Sequence, residues 1–186
     1  RSWRSGGSEP VSSCLLRSDD DGMSWRKYSV VAEDEDEAAF LILPDGRMLA
    51  ALRSEKDSHL SGSFSNDMGR NWQPLKDLTG PSQHPACLTL LHNGYVLLSY
   101  GYRAPPYGAR GLISEDYGRT WLRDREIIFG DDAPNWDCGY PSTIRLNSGK
   151  LVTAYYSTAK RDSYSCEGAK LNVLIYEESE LLLNFE

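Results

Sequence analysis

Three copies of one short pattern constrain this chain more than any other feature. "SDDDGMSW" runs from Ser18 to Trp25, "SNDMGRNW" from Ser65 to Trp72 and "SEDYGRTW" from Ser114 to Trp121. All fit S-x-D-x-G-x-[S/N/T]-W, and their tryptophans lie 47 and 49 residues apart. Self-similarity at such a period marks a repeat architecture, in which each unit buries its apolar face only against its neighbours. The residues in the pattern suit a tight loop. Aspartate and Ser/Thr side chains accept from nearby backbone N–H groups, glycine takes the conformation others resist, and tryptophan buries a large ring beside neighbouring strands. One structural role accounts for all three copies, so these aspartates read as loop formers rather than metal ligands or catalytic acids.

A second signal repeats between the boxes. "FLILPDGRMLAAL" from Phe40, "LTLLHNGYVLLSY" from Leu88 and "TIRLNSGKLVTAYY" from Thr143 each join two apolar runs through Asp-Gly, Asn-Gly or Ser-Gly. Such dipeptides between strand-like runs are strong hairpin signals. One unit then reads as strand, tight turn, strand, variable polar loop, third strand such as "LSGSFS", box, and fourth strand such as "WQPLKDL". Four antiparallel strands per 40–50 residues make the blade of a β-propeller. The fold expected is therefore all-β, and residues 1–186 read as one propeller domain with residues 1–10 frayed.

Composition removes several function classes. The 186 residues carry 20 Lys plus Arg against 27 Asp plus Glu, a formal net charge of −7. Binding to nucleic acid or an anionic membrane needs a basic surface, so neither is expected as a partner. The acidic run "EDEDE", Glu33 to Glu37, reads as a solvated loop. No apolar run approaches membrane-spanning length and no basic-then-apolar signal segment opens the chain. Cys14, Cys87, Cys138 and Cys166 contain no C-x-x-C pair, which argues against a structural zinc site. They read as buried free thiols, although three disulfide pairings fit the sequence and the redox compartment stays open. No cofactor or metal is expected, and a secreted or periplasmic location is favoured.

Strand direction sorts the loops. Hairpin turns and boxes fall at one end of the blades. At the other end fall the loops after the second strands, from Arg53, Gly101 and Ser157, and those entering the first strands, from Glu33, Thr79 and Gly130. These are long and rich in functional side chains, where binding residues concentrate. Arg53, Tyr102, Arg103, Arg110, His84, Asp137 and Tyr140 all belong to this end. His84 has the chemistry of a general acid/base near neutral pH. Asp137, beside Trp136, is a candidate for a carboxylic acid kept protonated by an apolar neighbour.

The boxes and hairpins, over residues 12 to 160, resemble the Asp-box repeats of the sialidase (neuraminidase) superfamily, closest to the bacterial sialidase-like glycosidases. The matching stretches are "SQHPACLTLLHNGYVLLSYGYRAPPYGARGLISEDYGRTW" and "WDCGYPSTIRLNSGKLVTAYY". The resemblance implies a six-bladed propeller with a glycan site at one end of its axis. It also implies arginines gripping a substrate carboxylate, a tyrosine nucleophile helped by a glutamate, and an aspartate acid/base. Arg53 and Arg110 stand before third strands as such arginines do, with Arg103 and Tyr102 beside the second. Tyr140 and Tyr155 are nucleophile candidates, and Asp137 and His84 the proton-transfer candidates. The chain has no Phe/Tyr-Arg-Ile-Pro segment, the usual source of the first arginine. The activity implied is hydrolysis of a glycan bearing an anionic sugar, sialic acid or a uronic acid. The alternative is a non-catalytic glycan- or protein-binding propeller, or an inactive fragment.

Counting strands gives a partial ring. One strand precedes the first box, two full blades follow over Glu37 to Leu78 and Pro85 to Phe129, and a partial blade starts at Tyr140, for about thirteen strands. Only three to four blades of a six-bladed propeller are accounted for. That suggests part of a longer enzyme, or a half-propeller completed by a second copy. Open strand edges point to self-association.

Overall fold

A computed structural model describes residues 11–159 and 168–181. The stretch expected to fray, Arg1 to Pro10, Cys166 and most of the loop after Ser157 lie outside the described residues. Among those described, thirteen strands form four antiparallel sheets. Strands β1 (Ser12–Arg17) and β2 (Arg26–Glu33) pair alone. Strands β3 (Glu35–Ile42), β4 (Met48–Ser54), β5 (Leu60–Ser65) and β6 (Lys76–Asp77) make the first complete blade. Strands β7 (Gln83–Leu90), β8 (Val96–Tyr102), β9 (Gly108–Ser114) and β10 (Ile127–Gly130) make the second. Strands β11 (Cys138–Arg145), β12 (Lys150–Thr158) and β13 (Ala169–Glu177) form a three-stranded blade. The meander of consecutive strands is the propeller blade the repeats predicted. The expected fourth strand in "WQPLKDL" shrinks to two residues, since Pro74 has no N–H to give a ladder.

The three hairpins close identically. Leu43, Leu91 and Leu146 donate to the carbonyls of Arg47, Tyr95 and Lys150, and the turn glycines Gly46, Gly94 and Gly149 donate back to the leucines. The boxes are equally uniform. In the third, Ser114 Oγ accepts from Gly118 N at 2.7 Å, and Asp116 accepts from Thr120 N at 2.8 Å and Thr120 Oγ1 at 2.7 Å. Ser65, Asp67, Gly69 and Asn71 repeat this network, as do Ser18, Asp20, Gly22 and Ser24. Hydrogen bonds led by that from the Ser24 hydroxyl hold the Asp20 carboxyl down at about 2. The box aspartates are thus consumed in folding their own loops.

Blades pack face to face. Leu49, Ala51, Leu60, Leu98 and Tyr100 lie in the core between the first and second complete blades, and Leu97, Ile113, Phe129, Leu151 and Tyr155 in the core between the second and the three-stranded blade. Glycines of the second and third boxes let those loops dock on the preceding sheet. A Cβ on Gly118, whose φ is +86°, would lie 2.6 Å from Leu49 Cδ2. The inner strands β3, β7 and β11 run next to one another, β7 touching both others.

Candidate functional site

Pairing within the blades explains why three functional side chains meet. In β3 the register slips between Asp36, opposite Arg53, and Ala39, opposite Ala51. In β7 it slips between Gln83, opposite Tyr102, and Ala86, opposite Tyr100. In β11 it slips between Gly139, opposite Tyr156, and Ser142, opposite Ala154. Each inner strand carries one extra residue at the same place, a β-bulge that re-aims side chains beside functional sites. The bulges present Glu37, His84 and Tyr140. Glu37 and Tyr140 have φ of +40° and +47°, strained for residues with side chains. The residues opposite the slips, Arg53, Tyr102 and Tyr156, are likewise equivalent; Arg53 and Tyr156 enter the site, and in the second blade it is the next residue, Arg103, that does so.

The centre is a Tyr140–Glu37 pair, the phenol donating to Glu37 Oε1. The other carboxylate oxygen, Oε2, accepts from Arg53 Nη1 at 3.2 Å and lies 3.5 Å from His84 Nδ1. Burial would raise the Glu37 carboxyl, but the neighbouring His84 ring, the hydrogen bond from Tyr140 and the Arg53 charge outweigh it and hold it at about 2. Burial and the bond to Glu37 push Tyr140 up to about 12. In the free site the proton therefore belongs to the phenol. Tyr140 remains 48% exposed, so the residue lies at the surface of the site and not in the core.

Two arginines flank the pair. Arg53 is steadied by Ser58 Oγ at 3.1 Å, and its Nε lies 4.0 Å from Asp36 Oδ1. Arg103 lies 5.3 Å over the Tyr140 ring and donates to Cys138 O at 2.9 Å and Tyr156 OH at 3.1 Å. Tyr156 in turn donates to Asp137 Oδ1 at 2.5 Å, and Thr158 Oγ1 reaches Asp137 Oδ2 at 3.3 Å. The floor beneath is made by backbone contact: a Cβ on Gly101 would meet His84 O at 2.4 Å, and one on Gly139 would meet Gly101 Cα at 2.7 Å.

Five of the seven sequence candidates, Arg53, His84, Arg103, Tyr140 and Asp137, are linked in this network. The other two lie beside one another. Arg110 is 4% exposed, gives Nη1 to Gly130 O at 2.6 Å, sits 3.6 Å from Glu126 Oε2 and covers the Tyr102 ring at 4.8 Å. Its guanidinium is spent inside the blade rather than offered outward, because residue 110 points to the same face as its ladder partner Tyr100. Asp137 is buried against Tyr156 and Thr158, while its neighbour Trp136 is exposed. Tyr155 lies in the core between two blades.

Sequence reasoning missed Glu37, Tyr156 and Asp36. The run "EDEDE" is not a solvated loop. Glu35 is buried with Ser61 Oγ 3.0 Å from Oε1, and Asp36 and Glu37 are the acidic side of the site. Burial, then a hydrogen bond with Glu55, raises the Asp36 carboxyl to about 6. The signal was present in position: Glu37 enters a first strand at the same step as His84 and Tyr140. Cys14, Cys87 and Cys138 are free thiols. Among the described residues no group of three or more His, Cys, Asp or Glu is placed to hold a metal.

Box-linked, four-stranded antiparallel blades define a segment of a sialidase-like β-propeller fold. The BNR repeat-like domain model matches residues 5–162, and the chain belongs to that family. A protein of unknown function from Dyadobacter fermentans is 28% identical with a TM-score of 0.76, over 89% of this chain and 45% of its own. The GH93 α-L-arabinofuranosidase of Fusarium graminearum, solved with arabinobiose, is 14% identical with a TM-score of 0.61, over 88% of this chain and 54% of that one. The NanB sialidase of Streptococcus pneumoniae is 19% identical with a TM-score of 0.63, over 92% of this chain and 28% of that one. The chain thus spans about half, or less, of the length of these proteins. No curated protein matches it.

Proposed function

We propose that this chain carries part of the active site of a sialidase-like glycoside hydrolase, acting on a glycan that bears an anionic sugar. The observation that carries the reading is the bond from Tyr140 to Glu37 between two arginines. Tyr140 is the nucleophile. As its oxygen attacks the anomeric carbon, its proton passes to Glu37 and the bond from that carbon to the aglycone oxygen breaks, the aglycone leaving with a proton taken from solvent. The carboxylate is too weak a base to hold that proton in the resting site, so transfer is driven by the positive charge growing on the sugar. Arg53 and Arg103 hold the carboxylate of a sialic or uronic acid, for which a guanidinium fork is the fitting donor. Water then attacks the tyrosyl-bound sugar and breaks its bond to the phenol oxygen; the water's spare proton goes to solvent, replacing the one the aglycone took, and Glu37 returns its proton to the phenol. Asp137 and His84 position Tyr156 with Arg103, and Glu37, respectively. Carbohydrate complexes of fold relatives, such as the arabinobiose complex above, are in keeping with a sugar ligand.

One observation favours a second reading, glycan binding without turnover: the Asp137 carboxylate, the sequence candidate for the proton donor, is fully engaged by Tyr156 and Thr158. Fluorogenic α-sialosides, β-glucuronides and neutral α-L-arabinofuranosides separate the two. Turnover of an acidic substrate, lost in both Tyr140→Phe and Glu37→Gln with melting temperature kept, is the expected result. Retained binding of the acidic sugar with no turnover on any substrate decides for the binding module.

A further inference from the structure

Two interfaces between blades are equivalent by the repeat, and only one is closed. Where the first complete blade packs on the β1–β2 pair, Leu15 lies against Gly69 of the box. Beside it Ser29, the ladder partner of Leu15, donates to Gly69 O at 2.5 Å and accepts from Trp72 Nε1 at 3.2 Å. Counting from each box, Gly62 and Lys76 stand one blade later where Leu15 and Ser29 stand, and they too are ladder partners. A Cβ on Gly62 would lie 2.8 Å from Leu78 Cδ2, so a side chain enters there only if Leu78 shifts. With no leucine and no serine the second interface stays open. A cleft of about 280 Å³ remains, lined by Phe64, Trp121, Lys76, Arg119 and Arg123 among others. The indole N–H of Trp121, buried, has no hydrogen-bond partner, whereas those of Trp25 and Trp72 donate to Gly22 O and Ser29 Oγ.

The lining has a definite chemistry. Two aromatic side chains offer apolar surface, and three cations gather in a chain whose net charge is −7. The one acidic residue in the lining, Asp77, pairs with His59 Nε2 at 3.2 Å. Arg123 gives one N–H to Asp77 O at 2.9 Å and has further donors on its fork. The volume is at the lower end of small-ligand pockets, the size of a single sugar ring. We propose that this cleft is a second carbohydrate subsite, which takes one acidic sugar residue with its carboxylate on Lys76, Arg119 and Arg123 and its ring against Trp121 and Phe64. It lies at the box end of the blades, opposite Tyr140, and does not depend on whether that site turns over substrate.

The test uses the whole chain, labelled with ¹⁵N, and follows the indole N–H signals while D-glucuronate, D-glucose or inorganic sulfate is added. The Trp121 signal is assigned by its loss in Trp121→Phe. Glucuronate is expected to move it saturably. Glucose should bind about tenfold more weakly, the usual worth of a charge-assisted contact, and sulfate, which has charge but no ring, should leave it in place. Lys76→Ser, which installs the hydroxyl found at the closed interface, and Arg119→Ala should each weaken glucuronate about tenfold, while Tyr140→Phe leaves it unchanged. Three results would overturn the proposal: no movement at tens of millimolar glucuronate, equal responses to glucose and glucuronate, or a response that survives both charge-removing variants.

Discussion

At the scale of single residues, the site is set by where protons and charges rest. Glu37 is anionic and Tyr140 neutral over the whole physiological range, because a bonded pair between cations stabilises the carboxylate and penalises a second anion. Asp36 behaves oppositely. Burial and Glu55 raise it from an ordinary 3.8 to about 6 in the folded chain, so the folded state holds the proton more tightly than the unfolded state. Stability is therefore lost as pH rises from about 4 to about 6, and the penalty is complete above that window. Asp36→Asn should raise the melting temperature at pH 8 and leave it nearly unchanged at pH 3.5. An equal gain at both would show that the substitution acts through packing and not through the charge. Arg103→Lys is expected to weaken binding of a carboxylated sugar while sparing a neutral analogue, since the point charge replaces the fork but not its geometry. Isothermal titration with glucuronate and glucose checks it, and equal weakening of both contradicts it.

At the scale of elements, the boxes hold the blades and the bulges hold the site. Asp116→Ala strips partners from the Thr120 N–H and hydroxyl. It should cost about 1–3 kcal/mol in a denaturant titration, with ligand affinity retained; lost affinity with unchanged melting would assign Asp116 to the site. Gly118→Ala should cost as much again, because the new methyl meets Leu49 at a φ that alanine resists. Most of this level was legible in the sequence. The boxes, the Asp-Gly and Asn-Gly hairpins and the apolar alternation carry their own local physics, and strand after strand lies where they put it. What was hidden depends on pairing between strands. Nothing local marks the slip after Asp36 or Gly139, so Glu37 read as one more charge in an acidic run. The face on which Arg110 points is fixed by its partner Tyr100, and a rule that sorts only the ends of loops cannot see it.

At the scale of the molecule, the blades at the two ends are unlike those between. Trp72 packs on the preceding strand pair and Trp121 is half-buried at the open second interface, whereas Trp25 is 63% exposed; on the far side Leu171, Val173 and Ile175 of β13 are 71%, 53% and 64% exposed. Such faces and an open strand edge favour association. The chain as it stands should self-associate at micromolar concentration, and Val173→Lys should reduce the apparent mass in light scattering; a dilution-resistant monomer would contradict this. The central claim is that three bulges on neighbouring inner strands bring Glu37, His84 and Tyr140 into one glycosidase site. Its most direct test is to trap the nucleophile. A fluorinated glycosyl fluoride of the acidic sugar found to be a substrate slows release of the covalent intermediate, and peptide mapping by mass spectrometry then locates the sugar. The account predicts one adduct, on Tyr140, absent from Tyr140→Phe and much slower to form in Glu37→Gln. An adduct on any other residue, or turnover with Tyr140 unmodified, would contradict it.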